Sequence, residues 1–180
     1  MHTALVSNTV LLVAASIIIA APVKGVPTDA CTLLSRASIR TQTGEQVAST
    51  KATSRASRDV LQSQCFYALP TFTNSVSVTL ISPAGASRDG ARKMWERWFH
   101  PAEDHKSDGQ PASEEEEAAG KASPVTGVGD EAFWVRSFVG TLYVRKGNRF
   151  LRISLGGKMN DQERQARAKA LAASALRRLP

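Results

Sequence analysis

The densest group of metal-ligating side chains in the chain lies just after residue 99. Its members are His100, Glu103, Asp104, His105 and Asp108. Imidazole and carboxylate groups at this spacing can bind zinc or another divalent ion when one helix carries them, because residues about four apart share a face. Pro101 interrupts such a helix, and its neighbours are polar. We therefore predict no metal site and keep His100 and His105 as weak candidate ligands only.

Asp130 and Glu131 form the one adjacent carboxylate pair beside a predicted strand, and such a pair could serve acid–base catalysis in an envelope hydrolase. No nucleophile accompanies them, since the sequence has no GxSxG, HExxH or CxxC motif and no phosphate-binding glycine loop. In the simpler interpretation, Asp130 closes the preceding glycine turn and Glu131 is solvated. The sequence thus predicts no catalytic residue and no cofactor.

A hairpin around Gly147-Asn148 carries the candidate binding surface. A two-residue turn there pairs Lys146 with Arg149, Val144 with Leu151 and Leu142 with Ile153, which makes one face aliphatic. The other face is predicted to be wetter, with guanidinium groups against aromatic rings. Its members are Tyr143, Arg145, Phe150 and Arg152. A one-residue slip would mix the two faces, so the register is well specified.

The remaining patterns predict three more strands, at 65–69, 74–81 and 132–135, and helices within 26–45, 87–99 and 160–179. Residues 41–63 are predicted to be a surface loop, and 101–124 a mobile acidic insertion. The helix over 87–99 is expected to bury its tryptophans on the sheet. This order predicts one α+β domain over 26–180, an antiparallel sheet of about five strands covered by helices, in one version an α-β-α sandwich.

Residues 1–25 are predicted to be an export segment. The stretch 4–23 has no charged residue, and its apolar run has the length of a signal-peptide core and is short for a membrane span. No lysine or arginine precedes the run, so an uncleaved N-terminal anchor is the alternative. We expect an exported protein in the periplasm, at the cell surface or outside the cell, with membrane contact only if residues 1–25 are retained.

Cys31 and Cys65 are the only two cysteines. In an exported chain, an even pair favours a disulfide over a metal or catalytic site. The alternative is a lipidated Cys31, which would leave Cys65 free. Thr28-Asp29-Ala30 is polar where a lipidation signal needs leucine and a small residue, so the disulfide is favoured.

Charge is unevenly distributed along the chain. The formal net charge is +7, yet residues 101–131 hold nine of the sixteen acids against two lysines, which makes that stretch −7. The remaining domain is correspondingly basic. It could bind an envelope protein, an anionic polymer or lipid head groups, or the acidic stretch could act as its internal counter-charge. Export and the lack of a recognition motif argue against nucleic acid.

Four short motifs stand out: Asp29-Ala-Cys-Thr-Leu-Leu34, Cys65-Phe66, Gly127-Val-Gly-Asp-Glu-Ala-Phe-Trp134 and Thr141-Leu-Tyr-Val-Arg-Lys-Gly147. With a terminal helix after them, they resemble a family of small exported bacterial envelope proteins of unknown function, many of them actinobacterial lipoproteins. The resemblance implies an envelope location and a paired Cys31 and Cys65, and it carries no catalytic residue. The order of elements is also similar to the α-β-α sandwich of the PsbP and Mog1 proteins, an analogy of fold alone.

The sequence therefore favours a non-catalytic binding or interaction module of the bacterial envelope. Two alternatives remain open. One is an envelope hydrolase that uses carboxylates such as Asp130 and Glu131, and the other is a structural accessory subunit.

Overall fold

The computed structural model of the protein describes residues 28–101 and 121–179. Within these ranges the helices are α1 (Arg36–Thr43), α2 (Gly90–Phe99) and α3 (Asp161–Leu176), with short 3-10 helices at Ala30–Thr32 and Phe72–Asn74. The strands are β1 (Ser49–Ala56), β2 (Val60–Ala68), β3 (Val76–Pro83), β4 (Ser123–Pro124), β5 (Glu131–Val135), β6 (Thr141–Lys146) and β7 (Arg149–Leu155).

All of these strands pair antiparallel in one sheet of order β1-β2-β3-β7-β6-β5-β4, so the fold is a single α+β domain as predicted. The described sheet has seven strands, where about five were expected. β1 and the start of β2 lie in the segment 41–63, so the prediction of a loop there is wrong. All eight residues of β1 are exposed, and no apolar alternation marks the strand. β4 has only two residues, at the end of the predicted insertion.

The hairpin of β6 and β7 has the predicted register, with Lys146 facing Arg149, Val144 facing Leu151 and Leu142 facing Ile153. Gly147 has a φ of +59°, the left-handed conformation that a two-residue hairpin turn requires. The aliphatic face is fully buried, as expected: Leu142, Val144, Leu151 and Ile153 are each 0% exposed. Turn chemistry and side-chain alternation therefore agree on one register.

Helices pack on both faces of the sheet. On one face, the alanine-rich side of α3 packs with α1 and the first 3-10 helix over the aliphatic residues of the central strands. On the other face lies α2, which buries Trp95 and Trp98 against the sheet as its spacing predicted. α3 begins after Asn160, whose side chain accepts a hydrogen bond from the Glu163 N–H at 2.8 Å.

A disulfide bond joins Cys31 to Cys65 and ties the first 3-10 helix to β2. The predicted pairing is confirmed, and the alternative of a lipidated Cys31 with a free Cys65 does not hold. The Tyr67 hydroxyl donates to the carbonyl of Cys31 at 3.2 Å, and burial raises the pKa of Tyr67 to about 12, so this hydroxyl stays a donor. The chain before α1 is thus held to the sheet by a covalent bond and a partly buried hydrogen bond.

None of the helices within 28–101 and 121–179 is long and apolar enough to cross a membrane. The predicted export segment, residues 1–25, lies outside the described residues, as does the part of the predicted insertion between 102 and 120.

Candidate functional site

The four residues of the predicted binding surface lie on the face that carries α2. Tyr143 and Phe150 are only 4% and 1% exposed, because Trp98 packs edge-on against both rings. The expectation of a wet face is therefore wrong for these two residues. Arg145 and Arg152 are partly exposed, and the Arg152 guanidinium lies 5.8 Å from the centre of the Tyr143 ring. Whether these two arginines bind a ligand stays a prediction.

An aromatic cluster between α2 and the sheet explains this burial. Trp95 is 0% exposed and lies 5.4 Å, centroid to centroid, from Phe150. Phe99 at the end of α2 stacks on Phe133 of β5, with a centroid distance of 4.6 Å and an interplanar angle of 3°. Aromatic side chains of this size stabilise the folded state most when they are fully buried. The aromatic side chains of β5, β6 and β7 therefore require the cover that α2 provides.

Glu131 is the acidic group of this cluster. Its carboxylate accepts a hydrogen bond from Trp95 Nε1 at 2.7 Å and shares one with His100 Nε2 at 2.8 Å, while Arg145 Nε lies 3.5 Å away. Burial raises the pKa of Glu131, but the hydrogen bonds from Trp95 and His100, with the charges of His100 and Arg145, outweigh burial and lower it overall. Glu131 is thus ionised, and its hydrogen bonds fix the position of its carboxylate. The expectation of a solvated side chain is wrong.

Asp130 has a different set of partners. Its carboxylate accepts hydrogen bonds from the Gly147 N–H at 2.7 Å and from Lys146 Nζ at 2.8 Å, so it closes the β6–β7 turn instead of the glycine turn that precedes it. These two bonds lower the pKa of Asp130, and the bond from the Gly147 N–H has the larger effect. A general acid at neutral pH needs a raised pKa, whereas both carboxylates are held in the ionised form. The hydrogen bonds of Asp130 and Glu131 instead hold neighbouring parts of the fold together.

Of the weak metal candidates, His100 alone lies in the described part of the chain, and it is engaged with Glu131. Glu103, Asp104, His105 and Asp108 lie outside it. Within 28–101 and 121–179, no group of three or more His, Cys, Asp or Glu side chains could hold a metal ion. The prediction for His105 is therefore untested.

The cluster beneath α2 reaches only as far as Val60 and Ile81, near one end of β2 and β3. Beyond them, the α2 side of the sheet continues over β1, β2 and β3 with side chains that are exposed or half-buried, and all of those that form this region are polar except Phe66. We call this region the open face. It consists of Lys51, Thr53, Arg55, Gln62, Gln64, Phe66 and Ser77.

Hydrogen-bonding side chains cross the strands of the open face in a row. Thr53 Oγ1 donates to Gln64 Oε1 at 3.4 Å, and Gln64 Nε2 donates to Ser77 Oγ at 2.9 Å. A shallow pocket on β1 and β2 is lined by Thr53, Ser54, Arg55, Gln62 and Gln64. Hydroxyl and amide groups both donate and accept, so a row of them can bind the polar groups of a ligand laid across it.

Lys51 and Arg55 place two positive charges on the open face. The ion pairs formed among the described residues include neither of them. Both side chains point to the same side of β1, and four residues of strand separate them by about 13 Å. The open face is therefore a polar surface with positive charge along its outer strand.

Comparison with known proteins does not identify the chain. No family model, no curated protein and no solved structure matches it. The resemblance to exported envelope proteins and the analogy with the PsbP and Mog1 fold therefore stay predictions.

Sequence patterns do not indicate the open face, because they predict a loop for β1 and the first residues of β2. One signal was present. Lys51, Thr53 and Arg55 alternate with the small residues Ala52 and Ser54, and this is the period of a strand with larger polar side chains on one side. The pattern is hard to find because neither side of β1 is apolar.

Proposed function

We propose that the protein is a non-catalytic binding module of the bacterial envelope and that its ligand binds to the open face. The observation that carries this proposal is the unequal cover of the α2 side of the sheet. α2 buries the half with large rings, while the half with hydroxyl, amide and cationic groups stays accessible. An accessible polar surface on a rigid sheet is suited to binding, because its groups are already ordered.

The chemistry of the open face supports an extended and anionic ligand. The row from Thr53 through Gln64 to Ser77 spans three neighbouring strands, each about 4.8 Å from the next, so it offers contacts along a chain and not within one deep cavity. Lys51 and Arg55 attract negative charge at the outer strand. Carboxylate-bearing or phosphate-bearing polymers of the envelope have this character.

The disulfide supports the envelope location, because such bonds persist in oxidising compartments outside the cytosol. Asp130 and Glu131 give the hydrolase alternative no support, since each is ionised and engaged by groups of the fold. Binding is therefore the activity to test first.

The test compares binding of hyaluronate, poly-L-glutamate and neutral dextran by calorimetry at low and moderate salt. We expect the two polyanions to bind, more weakly as salt rises, and dextran not to bind. The variant K51S/R55S should lose about tenfold in affinity, which corresponds to about 1.4 kcal/mol.

The matched control is R97S/K158S, which removes the same charge from α2 and from the loop after β7. We expect it to lose less than about twofold, because screening weakens distant charges. Equal loss in both variants would mean that net charge alone attracts polyanions. Failure of both polyanions to bind would also count against the proposal.

A further inference from the structure

Among the described residues, β1 is the long edge strand of the sheet. It stands at the end of the strand order, pairs with β2 over all of its eight residues, and is exposed throughout. The opposite edge, β4, has two residues and includes Pro124, which has no N–H to offer a further strand. Of the two edges, only β1 has the length and the backbone groups to accept another strand.

The register shows which backbone groups of β1 are available. The Ser57 N–H donates to the Val60 carbonyl at 2.9 Å, and residues 57 and 60 continue the register in which Ala56 faces Leu61. Because hydrogen-bonded and non-hydrogen-bonded pairs alternate in an antiparallel ladder, residues 51, 53 and 55 direct their N–H and C=O groups toward β2. Residues 50, 52, 54 and 56 direct theirs away from it. These four residues form a template for one more strand.

The side chains beside this template favour an incoming strand with negative charge. Lys51 and Arg55 lie on the open face, at positions where an added antiparallel strand would form the closer, non-hydrogen-bonded pairs. Opposite charges placed directly across such a pair stabilise strand pairing, and like charges destabilise it. An incoming strand with acidic residues four positions apart would meet both cations.

We propose that β1 binds an extended acidic polypeptide segment, which adds an eighth, antiparallel strand to the sheet. Backbone hydrogen bonds to residues 50, 52, 54 and 56 hold the segment, and its acidic side chains pair with Lys51 and Arg55. This inference rests on the proposed function, because both cations belong to the open face. It adds a second kind of ligand, an acidic peptide strand that binds at the edge of the open face and uses the same two cations.

A second copy of the chain is the other strand that could pair with β1. A two-fold pairing that uses all four outward-facing residues places Lys51 of each copy directly opposite Arg55 of the other. Two like-charge contacts then oppose the dimer, as basic residues on edge strands commonly do. The same two positions favour an acidic partner.

The experiment uses the full chain and the labelled peptide Thr-Glu-Val-Thr-Val-Glu-Thr, whose glutamates fall opposite Lys51 and Arg55. Fluorescence anisotropy measures its affinity. N-methylation of the two valines removes N–H groups that face β1, and we expect it to weaken binding at least tenfold. Methylation of the central threonine, whose N–H faces away, is the matched control and should change affinity less than about twofold.

On the protein side, S54P removes an outward-facing N–H and leaves the hydrogen bonds between β1 and β2 in place, as edge strands allow. We expect it to lose peptide binding at least tenfold while it binds hyaluronate like the native chain. Circular dichroism checks that it is folded, and the methylated peptides decide the question if it is not.

Several results would overturn the inference. Equal binding of both methylated peptides, peptide binding by a folded S54P equal to that of the native chain, or no peptide binding up to about 1 mM would each exclude strand addition. Concentration-dependent dimerisation that S54P abolishes would identify a second copy as the occupant. If K51S/R55S still weakens hyaluronate binding in any of these cases, the proposed function stands without strand addition.

Discussion

The side of the sheet that faces α2 consists of a covered half and an open half. In the covered half, β5, β6 and β7 present Phe133, Tyr143 and Phe150 to the helix. The open half, on β1, β2 and β3, presents Thr53, Gln64 and other members of the open face to solvent. In both halves, successive side chains alternate between the two sides of the sheet, so this alternation does not explain why α2 covers only one half.

Side-chain chemistry explains which half is covered. Burying a large ring stabilises the folded state by about 25 cal/mol for each square ångström of apolar surface removed from water. α2 supplies Trp95 and Trp98, which pack against the rings of the covered half. Hydroxyl and amide groups lose hydrogen bonds to water when they are covered, unless every one of them finds a new partner. Covering the aromatic half therefore stabilises the fold, whereas leaving the polar half exposed destabilises it little and keeps that surface available for binding.

The strongest test of this comparison is W95A in the covered half. Trp95 is 0% exposed, contacts three aromatic rings and donates to Glu131. We expect a loss of about 3 to 5 kcal/mol in the free energy of unfolding, from the cavity and from the hydrogen bond that Glu131 loses. Urea denaturation measures it, and W95F, which keeps most of the volume, should lose less. A loss below about 1 kcal/mol would contradict the structural role of the covered half.

The disulfide stabilises the sheet face opposite both halves. Replacing both cysteines, as C31S/C65S, should lower the free energy of unfolding by about 3 to 4 kcal/mol, because the unfolded chain regains the freedom of a loop of 34 residues. Thermal unfolding with and without reductant measures the same quantity, and reductant should not affect the double variant. If reductant destabilises that variant as much as the native chain, its effect does not come from this bond.

The pH dependence of E131Q tests how the covered half holds its carboxylate. Since the pKa of Glu131 is lower in the folded state, its ionised form adds stability above the ordinary glutamate pKa of 4.5. That contribution is lost as the pH falls through the folded pKa. We expect E131Q to cost about 1 to 2 kcal/mol at pH 7 and less near pH 3, as measured by urea denaturation.

The control for E131Q is E96Q, at an exposed residue of α2 whose ion pair with Arg92 is 3.8 Å long. An exposed pair of this kind contributes little, so E96Q should cost less than about 0.5 kcal/mol. A cost of E131Q that stays the same from pH 7 to pH 3 would argue against the assigned hydrogen bonds.

The smallest effect is expected in the open half. Q64A removes the hydrogen bonds to Thr53 and Ser77 from a half-buried polar position that water can reach. We expect a loss of about 0.5 to 1 kcal/mol in the free energy of unfolding, measured by the same urea titration. A loss as large as that of W95A would show that the open half is a structural core and not a surface available for binding.

Much of the fold could be predicted from residue patterns. The turn at Gly147 and the aliphatic set from Leu142 to Ile153 specify the β6–β7 hairpin, because only one register keeps that set on one face. The spacing of Trp95 and Trp98 indicated the helix and its buried side. The strand β1 could not be found in this way, since both of its sides are exposed and no hydrophobic period marks it.

The candidate site was harder to predict. The strand pairing predicts correctly that one side of the hairpin carries Tyr143, Arg145, Phe150 and Arg152. The helix that packs on this side comes from about fifty residues earlier in the chain. Pairing rules for two strands carry no information on that third element. The open face has the converse problem, because Thr53 and Gln64 gain importance only once neighbouring strands bring them together.

The sequence by itself determined the fold class, the pairing of Cys31 with Cys65, and the hairpin with its aliphatic face. These features depend on local periodicity, on turn chemistry and on a count of two cysteines, all of which can be found along the chain. The tertiary structure decided which half of the sheet α2 covers, which groups Glu131 and Asp130 contact, and that β1 stands at the edge. Those outcomes depend on packing between segments far apart in the chain, where the burial of large rings outweighs any local preference.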